Sequence, residues 1–79
     1  MDEMRMLLDL LSEINEDVDF EAETALVEEG KLDSLDLTQI IAALSNTFGV
    51  RITTGDIEPE NFNSAEAMLA LVHKHRERL

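Results

Sequence analysis

The chain contains no cysteine, tryptophan or tyrosine, and it has one proline and three glycines among its 79 residues. The absence of cysteine excludes a disulfide framework, a thiolate metal site and a thiol nucleophile. Basic residues are also scarce, since six Lys and Arg stand against 18 Asp and Glu for a net charge of −12. Nucleic acid and anionic membranes would be repelled by this charge, so we exclude both as partners.

Long hydrophobic runs and targeting signals are absent as well. The longest wholly apolar run is Ile40–Leu44, far shorter than a membrane span. The N-terminus lacks the basic start, apolar stretch and cleavage site of a signal peptide. Hydrophobic residues nevertheless make up 44% of the chain, too many for disorder driven by charge. We therefore expect residues 1–79 to form a single domain. We also expect a cytoplasmic monomer, and the start at Met1 favours a free-standing protein.

Three stretches show the i, i+3, i+4, i+7 spacing of apolar residues that is typical of an amphipathic helix. The apolar positions are Met4, Leu7, Leu8, Leu11 and Ile14 in the first stretch, Leu37, Ile40, Ile41, Leu44 and Phe48 in the second, and Ala65, Met68, Leu69, Val72 and Leu79 in the third. Strand signals are nearly absent. The pattern predicts an all-α fold, a small four-helix bundle with three principal helices, one short helix and a long first loop.

The predicted helix ends rest on local signals. Gly49 is well placed to end the second helix in a left-handed conformation. Asn63 is expected to cap the last helix, with Glu66 three residues on in reciprocal spacing. The short helix is expected as one turn over 54–58, before Pro59.

The segment 16–33 between the first two helices is unusually long for a connection inside a compact domain. Phe20, Leu26 and Val27 are its predicted anchors over the helix ends. Its acidic side chains are expected to form a solvated surface, and a specific binding role for them stays open. These acids are Asp17, Asp19, Glu21, Glu23, Glu28 and Glu29.

Four of these acids also match ligand positions 1, 3, 5 and 12 of a helix-loop-helix calcium motif. They are Asp17, Asp19, Glu21 and Glu28. Position 6 is Ala22, where the sharp turn requires glycine, and position 8 is Thr24, where an apolar residue is usual. We interpret the match as a coincidence and predict no metal site.

The start of the second helix is the most distinctive local feature. Asp33 is a good N-cap and Asp36 lies in capping-box spacing, so Ser34 falls on the first turn beside unpaired N–H groups. A phosphate on Ser34 would be stabilised by these groups and by the helix dipole. Leu35 points away from the apolar stripe and should be exposed. These residues alone fit either a functional site or an ordinary cap beside a stray surface leucine.

The wider context resembles an acyl carrier protein. An Asp-Ser-Leu tripeptide opens an amphipathic helix after a long acidic loop, and the likeness extends over nearly the whole chain. By this resemblance, a phosphopantetheinyl transferase attaches 4′-phosphopantetheine from coenzyme A to Ser34. The resemblance also implies that Asp33 assists the Mg²⁺ of the transferase, and that Leu35 and Asp36 contact partner enzymes. The thiol that the chain lacks would then arrive on the prosthetic arm.

The resemblance implies a carrier and not an enzyme. It would hold an acyl group as a thioester and present it to acyl-loading or acyl-using enzymes in fatty-acid, lipid or related acyl metabolism. Lys31-Leu32 precede Asp33 where carriers of primary fatty-acid synthesis have Gly-Ala, and the second helix is uncharged after Asp36. The start Leu32-Asp33-Ser34 is closer to that of stand-alone D-alanyl carriers and specialised acyl carriers, so an aminoacyl cargo stays open. An unmodified acidic interaction module is the alternative from another class.

Two further groups of residues bear on the function. Carriers of this family fold the acyl chain between their helices, and the proposed lining would otherwise simply form the core. That lining consists of Ile41, Leu44, Ile57, Phe62, Met68 and Leu69. His73 and His75 lie two positions apart on the last helix, which does not suit a shared metal. They lie with Lys74, Arg76 and Arg78 in the last turns of the helix, where positive charge interacts favourably with the helix dipole.

Overall fold

A computed structural model describes residues 2–77 as four α-helices and one short 3-10 turn. The helices are α1 (Glu3–Ile14), α2 (Ser34–Phe48), α3 (Pro59–Phe62) and α4 (Ala65–Glu77), and the 3-10 turn is Thr54–Asp56. Within these residues no β-strand occurs, which confirms the predicted all-α fold with its long first loop. Every helix in this part of the chain is too short or too polar to cross a lipid bilayer.

The hydrophobic core joins all four helices. α1 packs against both α2 and α4, and α3 packs against α4. The helical core residues are Leu7, Leu11, Leu37, Ile40, Leu44, Phe62, Ala65, Met68, Leu71 and Val72. Among the side chains whose burial the structure describes, those of the core are all apolar, so apolar burial is the main source of its stability.

The ends of α1 and α2 follow from single residues. Asp2 caps α1, because its Oδ1 accepts a hydrogen bond from the Met4 N–H at 3.0 Å. Gly49 has φ of 67° and ends α2 in the left-handed region, as predicted. These two signals lie within four residues of the backbone groups they serve, which is why the sequence displays them.

The region after α2 differs from its prediction in part. The 3-10 turn lies inside the predicted turn 54–58, and Glu58 is extended with φ of −131° and ψ of 144°, as expected before proline. Pro59 then opens α3, because the missing N–H of proline costs nothing at the first position of a helix. The one predicted short helix is therefore present, but it follows Pro59 instead of preceding it, since four residues are too few to show a helical period that would locate it.

The predicted cap of α4 is wrong. Ser64, not Asn63, caps the helix, and its Oγ accepts from the Ala67 N–H at 3.1 Å. Ser64 directly precedes the helix, so Ala67 is the third helical residue and Glu66 falls one position short of capping-box spacing. On the inner face of α4, Leu71 is buried while Leu69 is half-buried, and the predicted Leu79 lies outside the described residues.

The long loop has apolar anchors. Phe20 and Leu26 are buried as predicted, whereas Val27 is only half-buried and Leu32 provides the third buried anchor. Of the six acids expected to face water, five are exposed. The sixth, Glu23, is half-buried, and its Oε2 lies 3.3 Å from Lys31 Nζ.

Candidate functional site

The start of α2 is built by a reciprocal pair of carboxylates. Asp33 Oδ1 accepts a hydrogen bond from the Asp36 N–H at 2.8 Å, and Asp36 Oδ2 accepts from the Asp33 N–H at 3.4 Å. This arrangement is the predicted capping box, which is therefore confirmed. It sets the first helical residue at Ser34, which lies between the two carboxylate residues in sequence.

Ser34 is exposed on the first turn of α2. Its carbonyl accepts a hydrogen bond from Thr38 Oγ1 at 2.9 Å, which adds to the helical bonding of the backbone. Helix geometry leaves the N–H groups of Ser34 and Leu35 without an acceptor inside the helix. These N–H groups, together with the positive end of the helix dipole, favour an anion on the Ser34 hydroxyl.

Leu35 lies beside Ser34 and exposes 65% of its surface, the largest exposure among the big apolar side chains of residues 2–77. The helical phase predicts this, because Leu37, Ile40 and Leu44 point into the core from another face. The start of α2 therefore presents an exposed hydroxyl that can be modified and, beside it, an exposed apolar side chain that a partner can contact.

The six residues proposed as an acyl lining do not share one environment. Leu44, Phe62 and Met68 are fully buried, and Ile57 is 36% exposed. Ile41 and Leu69 are half-buried and pack against the core. Elsewhere, a cleft of about 300 Å³ lies between the first turns of α1, the long loop and the start of α4, and none of the six lines it.

One acid of the long loop, Asp19, binds the loop backbone. Asp19 Oδ1 accepts from the N–H groups of Glu21 and Ala22 at 3.1 and 3.3 Å, which closes a turn. Within residues 2–77, no group of three acidic or histidine side chains is arranged to hold a metal ion. The calcium-loop alternative therefore has no ligand cluster in the structure.

The two histidines of α4 each lie against a carboxylate of another segment, His73 against Glu3 and His75 against Asp56. Glu3 Oε1 lies 2.9 Å from His73 Nε2, and Glu3 Oε2 lies 2.7 Å from Arg76 Nη2. These two contacts connect α1 to α4. Hydrogen bonds from Arg76 and then His73 lower the pKa of the exposed Glu3 carboxyl below its ordinary value. The last turn of α4 holds Lys74, His75 and Arg76, as predicted, and Arg78 lies outside the described residues.

His75 is largely buried, and its Nε2 lies 2.9 Å from Asp56 Oδ2. The contact lacks hydrogen-bond geometry, and the Nε2 atom is buried without a hydrogen-bond partner. The pKa of the Asp56 carboxyl is lowered chiefly by a hydrogen bond from the Thr53 N–H, with a further contribution from His75. The contact holds the 3-10 turn to α4, a structural role that the sequence analysis did not predict because the partners are distant in sequence.

One residue of structural importance near the site was assigned another role from sequence. Asn63 Oδ1 accepts hydrogen bonds from the Val27 and Glu28 N–H groups, which belong to the loop leading to Ser34. The Asn63-Ser64 pair precedes a helix, and either residue type can cap one. The sequence contains no signal for a contact across 36 positions, which is why this one was missed.

Comparison with known families gives one match. A family model described as the phosphopantetheine attachment site matches residues 5–72, from α1 to α4, and this range includes the capping box and Ser34. Comparison with curated proteins gives no match.

Proposed function

The chain belongs to the phosphopantetheine attachment family, whose defining group is a covalent 4′-phosphopantetheine, and we propose that Ser34 is the residue that carries it. The observation that carries the proposal is an exposed serine on the first turn of a capped helix, inside the matched range. Domains of this family act in general as carriers and not as catalysts. The proposed function is that of an acyl carrier protein.

The residues around Ser34 fit the group. The exposed hydroxyl can be reached by a transferase, and the N–H groups of the first turn can stabilise the phosphodiester that forms on it. Asp33 uses one carboxylate oxygen in the cap, and its second oxygen can face the Mg²⁺ that the transferase brings. The cap also fixes Ser34 as the first residue of α2.

The prosthetic group supplies the thiol on which the acyl group is held as a thioester. The chain itself supplies the attachment point and a surface by which enzymes recognise it. We propose that Leu35 and Asp36 belong to this surface, because one is an exposed apolar side chain and the other a carboxylate on the same turn. The partners are a phosphopantetheinyl transferase and acyl-loading or acyl-using enzymes of fatty-acid, lipid or related metabolism in the cytoplasm.

The proposal extends to the place of the acyl chain among the helices. Met68 is a flexible, fully buried side chain that can repack around a guest, and the half-buried Ile41 and Leu69 flank the core. Leu44, Ile57 and Phe62 complete the proposed lining. If the chain is sequestered, the melting temperature and the NMR shifts of core methyl groups change as the acyl chain is lengthened. Constant values across a series of chain lengths would show that the acyl group stays in solvent.

Attachment is tested by intact mass. The wild type, Ser34→Ala and Ser64→Ala are each incubated with coenzyme A, Mg²⁺ and a promiscuous phosphopantetheinyl transferase. Ser64 is a matched control, since it is also a serine at the start of a helix but is half-buried, with its Oγ accepting from Ala67. We expect one phosphopantetheinyl group on wild type and on Ser64→Ala, and none on Ser34→Ala.

The same experiment separates the alternatives. An unmodified wild type would favour an acidic interaction module, in which Leu35 and the loop acids form the interface. An adduct that persists in Ser34→Ala would move the site elsewhere. Once the arm is attached, loading with fatty-acyl and with D-alanyl donors distinguishes an acyl carrier from an aminoacyl carrier.

A further inference from the structure

Asn63 binds three consecutive backbone amides of the long loop. Its side-chain Oδ1 accepts from the Val27 N–H at 3.0 Å and from the Glu28 N–H at 3.2 Å. Its carbonyl oxygen accepts from the Leu26 N–H at 3.0 Å. Asn63 lies between α3 and α4, so one half-buried residue ties the loop to the helical hairpin.

The amides that Asn63 binds begin a turn, residues 26–32, that closes on itself. The Leu26 carbonyl accepts from the N–H groups of Lys31 at 2.8 Å and Leu32 at 3.3 Å. Gly30 makes the reversal with φ of 72°, in the left-handed region. Leu26 and Leu32 are both buried, so the two ends of the turn are anchored in the core.

The turn leads directly into the attachment site. Leu32 is followed by Asp33, the cap of α2, and then by Ser34. The direction in which the chain enters α2 therefore depends on the turn, and the turn depends on Asn63. Leu26 is held through its N–H by Asn63 and through its carbonyl by the residues next to the cap, which makes a continuous path from Asn63 to Asp33.

We propose that Asn63 is a positioning residue for attachment of the arm at Ser34. It keeps the turn 26–32 in the one conformation in which Asp33, Ser34 and the preceding loop meet the transferase together. This inference rests on the proposed function. A protein whose binding-competent form is only partly populated binds with an affinity reduced by that fraction. Loss of the Asn63 side chain is therefore expected to act on KM more than on kcat.

The test uses the full chain in three variants. Asn63→Ala removes the acceptor for Val27 and Glu28, while Asn63→Asp keeps an oxygen at the same place. Asn61→Ala is the matched control, since Asn61 lies two residues away and its Nδ2 donates to the Asp56 carbonyl at 2.9 Å, away from the loop. Rates of arm attachment are measured at several carrier concentrations, and amide hydrogen exchange is followed at residues 26–28.

For Asn63→Ala, we expect faster exchange at the Val27 and Glu28 amides, whose side-chain acceptor is lost, and a rise in KM of about threefold or more, with kcat changed by less than about twofold. Asn63→Asp should restore both values, and Asn61→Ala should leave KM unchanged. If Asn63→Ala does not fold by circular dichroism, Asn63→Ser, whose side chain is too short to reach both amides, is judged by the same criteria.

Equal KM values for wild type and a folded Asn63→Ala would overturn the inference while leaving the proposed function in place. A KM that rises equally in Asn61→Ala would also overturn it, because the effect would then come from general destabilisation. A wild type that accepts no arm would instead contradict the proposed function, and the positioning role would fall with it.

Discussion

The long loop and α2 meet at Ser34 and are built in opposite ways. Residues 16–33 contain eight acids and one base, whereas Leu37–Val50 contains no charged residue. The loop has no regular hydrogen-bond ladder and is held by side-chain acceptors such as Asp19 and Asn63. α2 is a regular helix with a cap at each end.

The two segments on either side of Ser34 therefore differ in charge and in regularity. The loop places eight of the 18 acids of the chain directly ahead of Ser34. α2 gives a rigid base with an exposed neutral face, on which Leu35 is the one large apolar group. We propose that the loop acids, together with Asp36, supply the long-range attraction to partner enzymes, and that Leu35 supplies the close contact.

The largest expected effect tests whether the loop is as firmly held as the helix. Leu26 in the loop and Leu44 in α2 are both 0% exposed. Replacing either with alanine removes a fully buried side chain, so each change should lower the free energy of unfolding by about 3 kcal/mol. Urea unfolding of the two variants measures this, with the exposed Leu35→Ala as a control expected to change stability by less than about 0.5 kcal/mol.

Suppose that Leu26→Ala lowers the free energy of unfolding by less than about 1 kcal/mol while Leu44→Ala lowers it by about 3 kcal/mol. The loop would in that case be held less firmly than α2. The loop would then open independently of the bundle, and its buried anchors would contribute little to the folded state.

The smallest expected effect concerns the electrostatic attraction between the loop acids and the transferase. Glu28 and Glu29 are exposed loop acids, so Glu28→Gln with Glu29→Gln removes two charges without removing buried groups. Association with the transferase at low salt should weaken by about twofold to threefold, and the salt dependence should become flatter. Binding measured across an ionic-strength series gives both values.

The matched variant adds charge on the other side of Ser34. Gln39→Glu with Asn46→Glu places two acids on the exposed face of α2 and should steepen the salt dependence, since wild type lacks charge there. Wild type should accordingly depend on salt less steeply than a carrier with an acidic second helix. If the loop variant leaves the slope unchanged, the loop does not steer association, and the division of roles between the segments is wrong.

The features that the sequence predicted are those encoded within about one helical turn. The apolar stripes of α1 and α2, the Asp33–Asp36 capping box and the left-handed Gly49 each depend on residues close along the chain. The exposure of Leu35 follows from the same 3.6-residue period.

The features that it missed depend on distant partners or on lengths too short for periodicity. Asn63 was assigned to a cap because nothing local connects it to Val27 and Glu28. His75 was assigned to a helix end, although it also lies against Asp56. The four-residue α3 has no period to detect. Contacts of this kind arise only when the core brings the helices together, so they are properties of the packing.

The central claim is that chemistry enters this chain at Ser34, and peptide mapping of the modified protein tests it most directly. Trypsin cleaves after Lys31 and Arg51, so one peptide, 32–51, contains Ser34 together with Ser45. Ser45 is half-buried and its Oγ accepts from the Ile52 N–H at 3.5 Å, which makes it an internal control. We expect the phosphopantetheinyl mass on peptide 32–51, with fragment ions that locate it at Ser34. The mass on Ser45, on the peptide that contains Ser64, or on no peptide would show that Ser34 is not the attachment residue.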